Sequence, residues 1–166
     1  RLVPLPKAKS VCAIQFGHVL DALGSTPAIL KHKPSAVEVM DAFILNHTKL
    51  NPALHAQRQT FIEGEPGALL CVEFYGDKAE ELPPRMAAME KDLRAQGMGE
   101  RFYHATDPAA QARIWKVREA GLGLSIGRWI ADSHGARIDI SSNPGAGTTV
   151  TVAFPPASGA PEGLSA

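Results

Sequence analysis

The sequence predicts a layered fold of mixed class, α+β or α/β, in which helices pack on a sheet. Two observations carry this. Through residue 120, strand-like and helix-like stretches alternate four times. One of them, 68–75, is an almost unbroken apolar run, as in a strand covered on both faces. A third pattern, near the C-terminus, is that of an antiparallel hairpin.

In order, 11–16 is a short apolar run that suits a strand, and a helical stretch follows over 18–23. Thr26 has the form of an N-cap, with Pro27 at the first position of a further helix. Pro34-Ser35 breaks the chain. In 36–40, Val37 and Val39 alternate with Glu38 as in a half-buried strand. Residues 42–45 start another helix. The pattern is weak from 49 to 67, where Gly64-Glu65-Pro66-Gly67 signals a turn. After the 68–75 strand, Pro83-Pro84 opens a helix on which Met86, Met89 and Leu93 recur at helical spacing. These methionines read as core filler. Gly97 and Gly99 close that helix, 102–104 forms a short strand, and Asp107-Pro108 caps a helix to about residue 120. Ile114, Trp115 and Val117 mark its apolar side.

The texture changes at Gly121-Leu122-Gly123-Leu124. A second helix is expected over 125–134, presenting Ile126, Trp129 and Ile130 and ending at Gly135. Ile138 and Ile140 then share one face of a strand, Asn143-Pro144-Gly145-Ala146-Gly147 turns the chain, and Val150, Val152 and Phe154 alternate on its partner. Residues 156–166 are rich in Pro, Ala, Gly and Ser and read as a disordered tail.

Composition excludes more than it selects. The 166 residues are 45% hydrophobic and 20% charged, as in soluble globular proteins. Seventeen basic residues balance seventeen acidic ones, which gives no reason to expect nucleic acid or an anionic membrane as partner. No apolar run approaches the ~20 residues needed to span a bilayer. Cys12 and Cys71 lie inside apolar runs and read as buried, reduced thiols, which fits a cytoplasmic setting. The six histidines show no metal-ligand spacing, so no metal site is expected.

Three segments carry a first resemblance: Pro34-Ser35-Ala36-Val37-Glu38-Val39-Met40-Asp41, the stretch from Gly64-Glu65-Pro66-Gly67 into Cys71-Val72-Glu73-Phe74, and Ile114-Trp115-Lys116-Val117-Arg118-Glu119-Ala120-Gly121. In this order they resemble the C-terminal domain of FAD-linked oxidases, the group of glycolate oxidase and the D-lactate and D-2-hydroxyglutarate dehydrogenases. The resemblance covers about residues 1–124. It implies α+β among the two classes, with a mainly antiparallel sheet. It also implies FAD held mainly by a domain absent from this chain, a 2-hydroxy acid as the parent enzyme's substrate, and Arg118, of the Trp-x-x-Arg helix, turned to the substrate carboxylate. A guanidinium suits that role as a permanent charge with a bidentate fork. The family's later Gly-Asn-Leu-His-type segment has no counterpart here, so the chain is expected to be inactive alone.

The segment Gly121-Leu122-Gly123-Leu124-Ser125-Ile126, the helix ending at His134-Gly135 and the turn before Thr148-Thr149 resemble the end of a histidine-kinase ATP-binding domain, over 121–155. There the glycines flank the ATP lid and open a helix whose N-terminus lies by the phosphates, because glycine permits close backbone approach and free amides attract anions. That resemblance marks Gly121, Gly123, Leu124 and Ser125 as candidate nucleotide-binding residues, with ATP and magnesium as ligands under this alternative only. A dinucleotide fingerprint at the same glycines has the wrong spacing and no preceding strand. The kinase family's asparagine box and Asp-x-Gly-x-Gly box have no counterpart, so useful ATP affinity is not expected. Three parts are therefore expected: an incomplete oxidase-like domain (1–120), a kinase fragment (121–155) and the tail (156–166). They meet at a tetrapeptide that both families share, as in a chimera or an assembly error.

Overall fold

The computed structural model describes residues 5–143 and 147–155, so the expected tail, the middle of the last turn and the side chains of Ile126 and Trp129 lie outside what is described. The chain divides into two compact units, Arg1–Leu122 and Gly123–Ala166.

The first unit runs β1 (Ala8–Phe16), α1 (Val19–Leu30), β2 (Ala36–Asp41), α2 (Ala42–His47), α3 (Pro52–Arg58), β3 (Ala68–Gly76), α4 (Leu82–Ala95), β4 (Arg101–Ala105) and the start of α5 (Pro108–Ser133). Its sheet has the order β2-β3-β1-β4, and each described pairing is antiparallel. Since β1 and β2 both run against β3, they point the same way with β3 between them. By the same logic β3 and β4 flank β1. Two split β-α-β units are thus interleaved, a ferredoxin-like arrangement. The fold is α+β with a mainly antiparallel sheet, as expected.

Both sheet faces are covered. On one, Cys12, Ile14, Leu70, Val72 and Phe74 meet Ile29 of α1 and Met86, Met89 and Leu93 of α4. On the other, Val11, Ala13, Leu69 and Cys71 meet Leu45 of α2 and Ala110, Ile114 and Val117 of α5. Residues Ala68 through Phe74 of β3 are all buried, which explains the unbroken apolar run. The two cysteines sit buried on opposite faces. Burial pushes both thiols up, Cys71 to about 12.

Three local expectations need correction. Helix α1 is continuous, with Pro27 inside it rather than at a new start. Proline there removes a single ladder bond, the one to the Leu23 carbonyl, and the Ser25 hydroxyl donates to the Ala22 carbonyl at 2.7 Å. The weak stretch after Lys49 holds α3, whose signal was Asn51-Pro52: the Asn51 side chain accepts from the amides of Ala53 and Leu54, with proline in the first turn. Third, α5 does not break at Gly121-Leu122-Gly123-Leu124 but continues to Ser133. A glycine in a helix interior costs only about 1 kcal/mol, and no proline enforces a stop. At its start the Asp107 carboxylate accepts from the Ala110 amide at 2.8 Å, the cap the sequence indicates.

The second unit contains the end of α5 and a hairpin of β5 (Arg137–Asn143) and β6 (Gly147–Ala153), which form a separate two-stranded sheet. Ile138 lies opposite Val152 and Ile140 opposite Val150. With Ile130 and Phe154 several of these line an apolar cleft of about 280 Å³.

One link between α4 and the turn after α1 is pH-sensitive. His32 Nε2 lies 3.0 Å from an Asp92 carboxylate oxygen, and this hydrogen bond, with one from Gln96, lowers the Asp92 pKa. A carboxylate with a depressed folded pKa contributes stability above its unfolded pKa of about 4 and loses it as pH falls through the folded value. In thermal melts from pH 7 to 2, wild type should therefore exceed Asp92→Asn in Tm at neutral pH. The gap should close only below the ordinary carboxylate range; a gap that is constant with pH refutes the assignment.

Candidate functional site

The strongest polar constellation lies on the second face of the main sheet, where α5 crosses β2 and β3. The cap at Asp107 sets the helix phase so that Ala110, Ile114 and Val117 descend into the core. Arg118, four residues after Ile114, then emerges at the margin of that apolar stripe. Alternation along β2 and β3 turns Glu38 and Glu73 to this same face: Glu38 pairs with Cys71, two residues from Glu73. Trp115 packs partly buried against the core, its ring 5.6 Å from the Arg118 guanidinium carbon.

Arg118 and Glu38 are each about one-third exposed, and Arg118 Nε donates to a Glu38 carboxylate oxygen. Next to them Tyr75 donates its hydroxyl to Glu73 at 2.8 Å, and that bond to a carboxylate raises the tyrosine pKa. The Tyr75 amide in turn donates to the Ser35 hydroxyl at 3.0 Å. The corner thus holds one fixed cation already matched by a carboxylate, with a second carboxylate nearby. To receive an external carboxylate, Arg118 must exchange or share Glu38. The sequence pointed to Arg118 but assigned no role to Glu38 or Glu73. Both lie in the quoted motifs, yet only the strand register shows that they face α5.

The other candidate residues, Gly121, Gly123, Leu124 and Ser125, are all inside α5. Interior helical amides donate to carbonyls four residues back, so the expected helix N-terminus is not formed here. A separate cleft of about 360 Å³ lies at the end of β1 beside α1, lined among others by Gly17, Asp21, Ser25, Met98 and Glu100. Among the described residues no group of three or more His, Cys, Asp or Glu side chains is arranged to hold a metal, and no helix is long and apolar enough to cross a membrane.

A mainly antiparallel sheet with helices packed on both faces makes the class α+β. The family model for the C-terminal domain of FAD linked oxidases matches residues 5–141, and the chain belongs to that family. The match runs past the boundary at Leu122 into β5. D-2-hydroxyglutarate dehydrogenase of Pseudomonas putida is 26% identical over 128 residues, covering 74% of this chain and 13% of that protein. The sensor histidine kinase YkoH of Bacillus subtilis is 47% identical over 93 residues, covering 46% of this chain and 20% of the kinase. The cell-division control histidine kinase PdhS of Brucella canis is 29% identical over 121 residues, covering 71% of this chain and 12% of the kinase. The chain therefore spans a fifth or less of the length of these relatives.

FAD is the cofactor of the parent family, and the cleft beside α1 does not fit its diphosphate. That cleft carries Asp21 and Glu100 and no basic lining residue. Two carboxylates there repel rather than cradle a dianion.

Proposed function

We propose that residues 1–120 are the substrate-side part of an FAD-dependent oxidoreductase acting on 2-hydroxy acids, fused to a kinase-derived segment and inactive alone. The family match over residues 5–141 carries this reading. Arg118 is the carboxylate anchor, a bidentate cation steadied by Trp115 and held by Glu38 until the substrate arrives. The flavin is held mainly by a domain outside this chain, a reading supported by the match to the family's C-terminal domain. The partner is a small-molecule hydroxy acid, and the setting cytoplasmic.

Titrating the chain with D-2-hydroxyglutarate, followed by NMR shifts, tests this. Weak saturable binding is expected, lost in Arg118→Ala and strengthened in Glu38→Gln. Arg118→Ala should weaken it at least about tenfold, the scale of one charge-assisted hydrogen bond. Equal binding by wild type and Arg118→Ala removes Arg118 from the site. Tight stoichiometric FAD binding by this chain alone refutes the division of labour with an outside domain.

The similarity to YkoH favours a second reading, a sensor-kinase ATP-binding fragment with Gly121, Gly123, Leu124 and Ser125 at the nucleotide. Magnesium-dependent binding of a labelled ATP analogue would support it. Its absence, together with hydroxy-acid binding, leaves the oxidoreductase reading alone.

A further inference from the structure

We propose that Lys49 and Arg58 form an oxyanion site in which Glu65 sits as a built-in ligand, and that a phosphate or carboxylate group of a small molecule takes its place. The site is made of residues unrelated to the Arg118 corner. Arg58 ends α3 and is only 3% exposed, although arginine is seldom buried without full pairing. Its Nη2 lies 3.3 Å from the Gly64 carbonyl and 3.4 Å from Glu65 Oε2. The same carboxylate oxygen accepts from Lys49 Nζ.

The guanidinium is incompletely used. Arg58 Nε is buried and finds no acceptor among the described residues. A planar guanidinium offers Nε and Nη as a two-pronged edge to an oxyanion, and here Glu65 meets only one prong, at long range. The nearby His55 Nδ1 is also buried without a described partner. Glu65 itself is 64% exposed, on a loop between α3 and β3. A buried, half-matched cation is thus faced by an exposed, replaceable anion. An incoming oxyanion with two or three oxygens can meet Nε, Nη2 and Lys49 Nζ together, which the single Glu65 oxygen does not.

The test is calorimetric titration of the full chain with inorganic phosphate and, separately, malonate, each against chloride at matched ionic strength. Glu65→Gln removes the built-in charge at an exposed position and keeps the side-chain shape. It should bind at least about tenfold more tightly than wild type, and adding Lys49→Gln should reverse that gain about tenfold, the scale of one charge-assisted hydrogen bond. Binding by phosphate alone identifies a phosphate site, by malonate alone a carboxylate site, and by both a general oxyanion site. The proposal is overturned if Glu65→Gln shows no saturable binding of either probe, if it binds no better than wild type, or if Lys49→Gln leaves its affinity unchanged.

Discussion

Gly67→Ala is expected to destabilise the first unit by about 3 kcal/mol, near the top of the ordinary range for overpacking. The last rung between β1 and β3 pairs Phe16 with Ala68, so Gly17 and Gly67 are the residues at which the two strands leave the sheet. A Cβ on Gly67 would stand 2.0 Å from the Gly17 carbonyl oxygen and 2.7 Å from its carbonyl carbon. Both are main-chain atoms, so no rotamer change relieves the clash. The backbone must move, and Ala68, fully buried beside it, opposes that movement. Gly24 supplies the control. It lies inside α1, and a Cβ there would meet nothing within 4 Å, so Gly24→Ala should stabilise by about 0.5–1 kcal/mol. Urea unfolding followed by circular dichroism measures both. A Gly67→Ala midpoint equal to wild type would show that the two strand ends are not in close approach.

Ile114→Ala should cost about 3 kcal/mol, within the range found for deleting large aliphatic side chains from cores. Ile114 is fully buried and, with Ala110 and Val117, closes α5 over the second sheet face. Losing its outer carbons leaves a void beside strands already fixed by their pairing, so collapse is incomplete. Leu50→Ala, at a position 62% exposed, should change stability by less than about 0.5 kcal/mol. The two cysteines make the effect directional. Cys71 belongs to the face Ile114 covers, and Cys12 to the opposite one. In Ile114→Ala a thiol reagent should reach Cys71 sooner than Cys12, whereas equal acceleration would mean that the unit opens only by global unfolding.

The readings that held and those that did not differ in a physical way. Met86, Met89 and Leu93 were legible as core because helical spacing places them on one face whatever that face meets, and all three are fully buried. The Asp107 cap was legible because capping involves only residues a few positions apart. The break expected at Gly121 and Gly123 failed because glycine's helix penalty is about 1 kcal/mol, a bias that context overrides. Pro27 misled in the same way: the local rule holds for a helix start, but α1 carries proline in its last turn. Asn51-Pro52 was a readable start that the weak apolar pattern around it concealed.

At the candidate site, Arg118 could be singled out from its motif, but its pairing with Glu38 spans 80 residues of sequence. It exists only because β2 adds to β3 in a register that turns Glu38 toward α5. Arg58 and Glu65 are close in sequence, yet nothing local reveals that the arginine is buried with one nitrogen unmatched. By itself the sequence determined the strands, the apolar faces and the Asp107 cap, because these follow from spacing, side-chain shape and hydrogen bonds over a few residues. The interleaved strand order, the partners of Arg118 and Arg58 and the close approach at Gly67 were decided by tertiary structure, because each depends on which distant segments the sheet brings side by side.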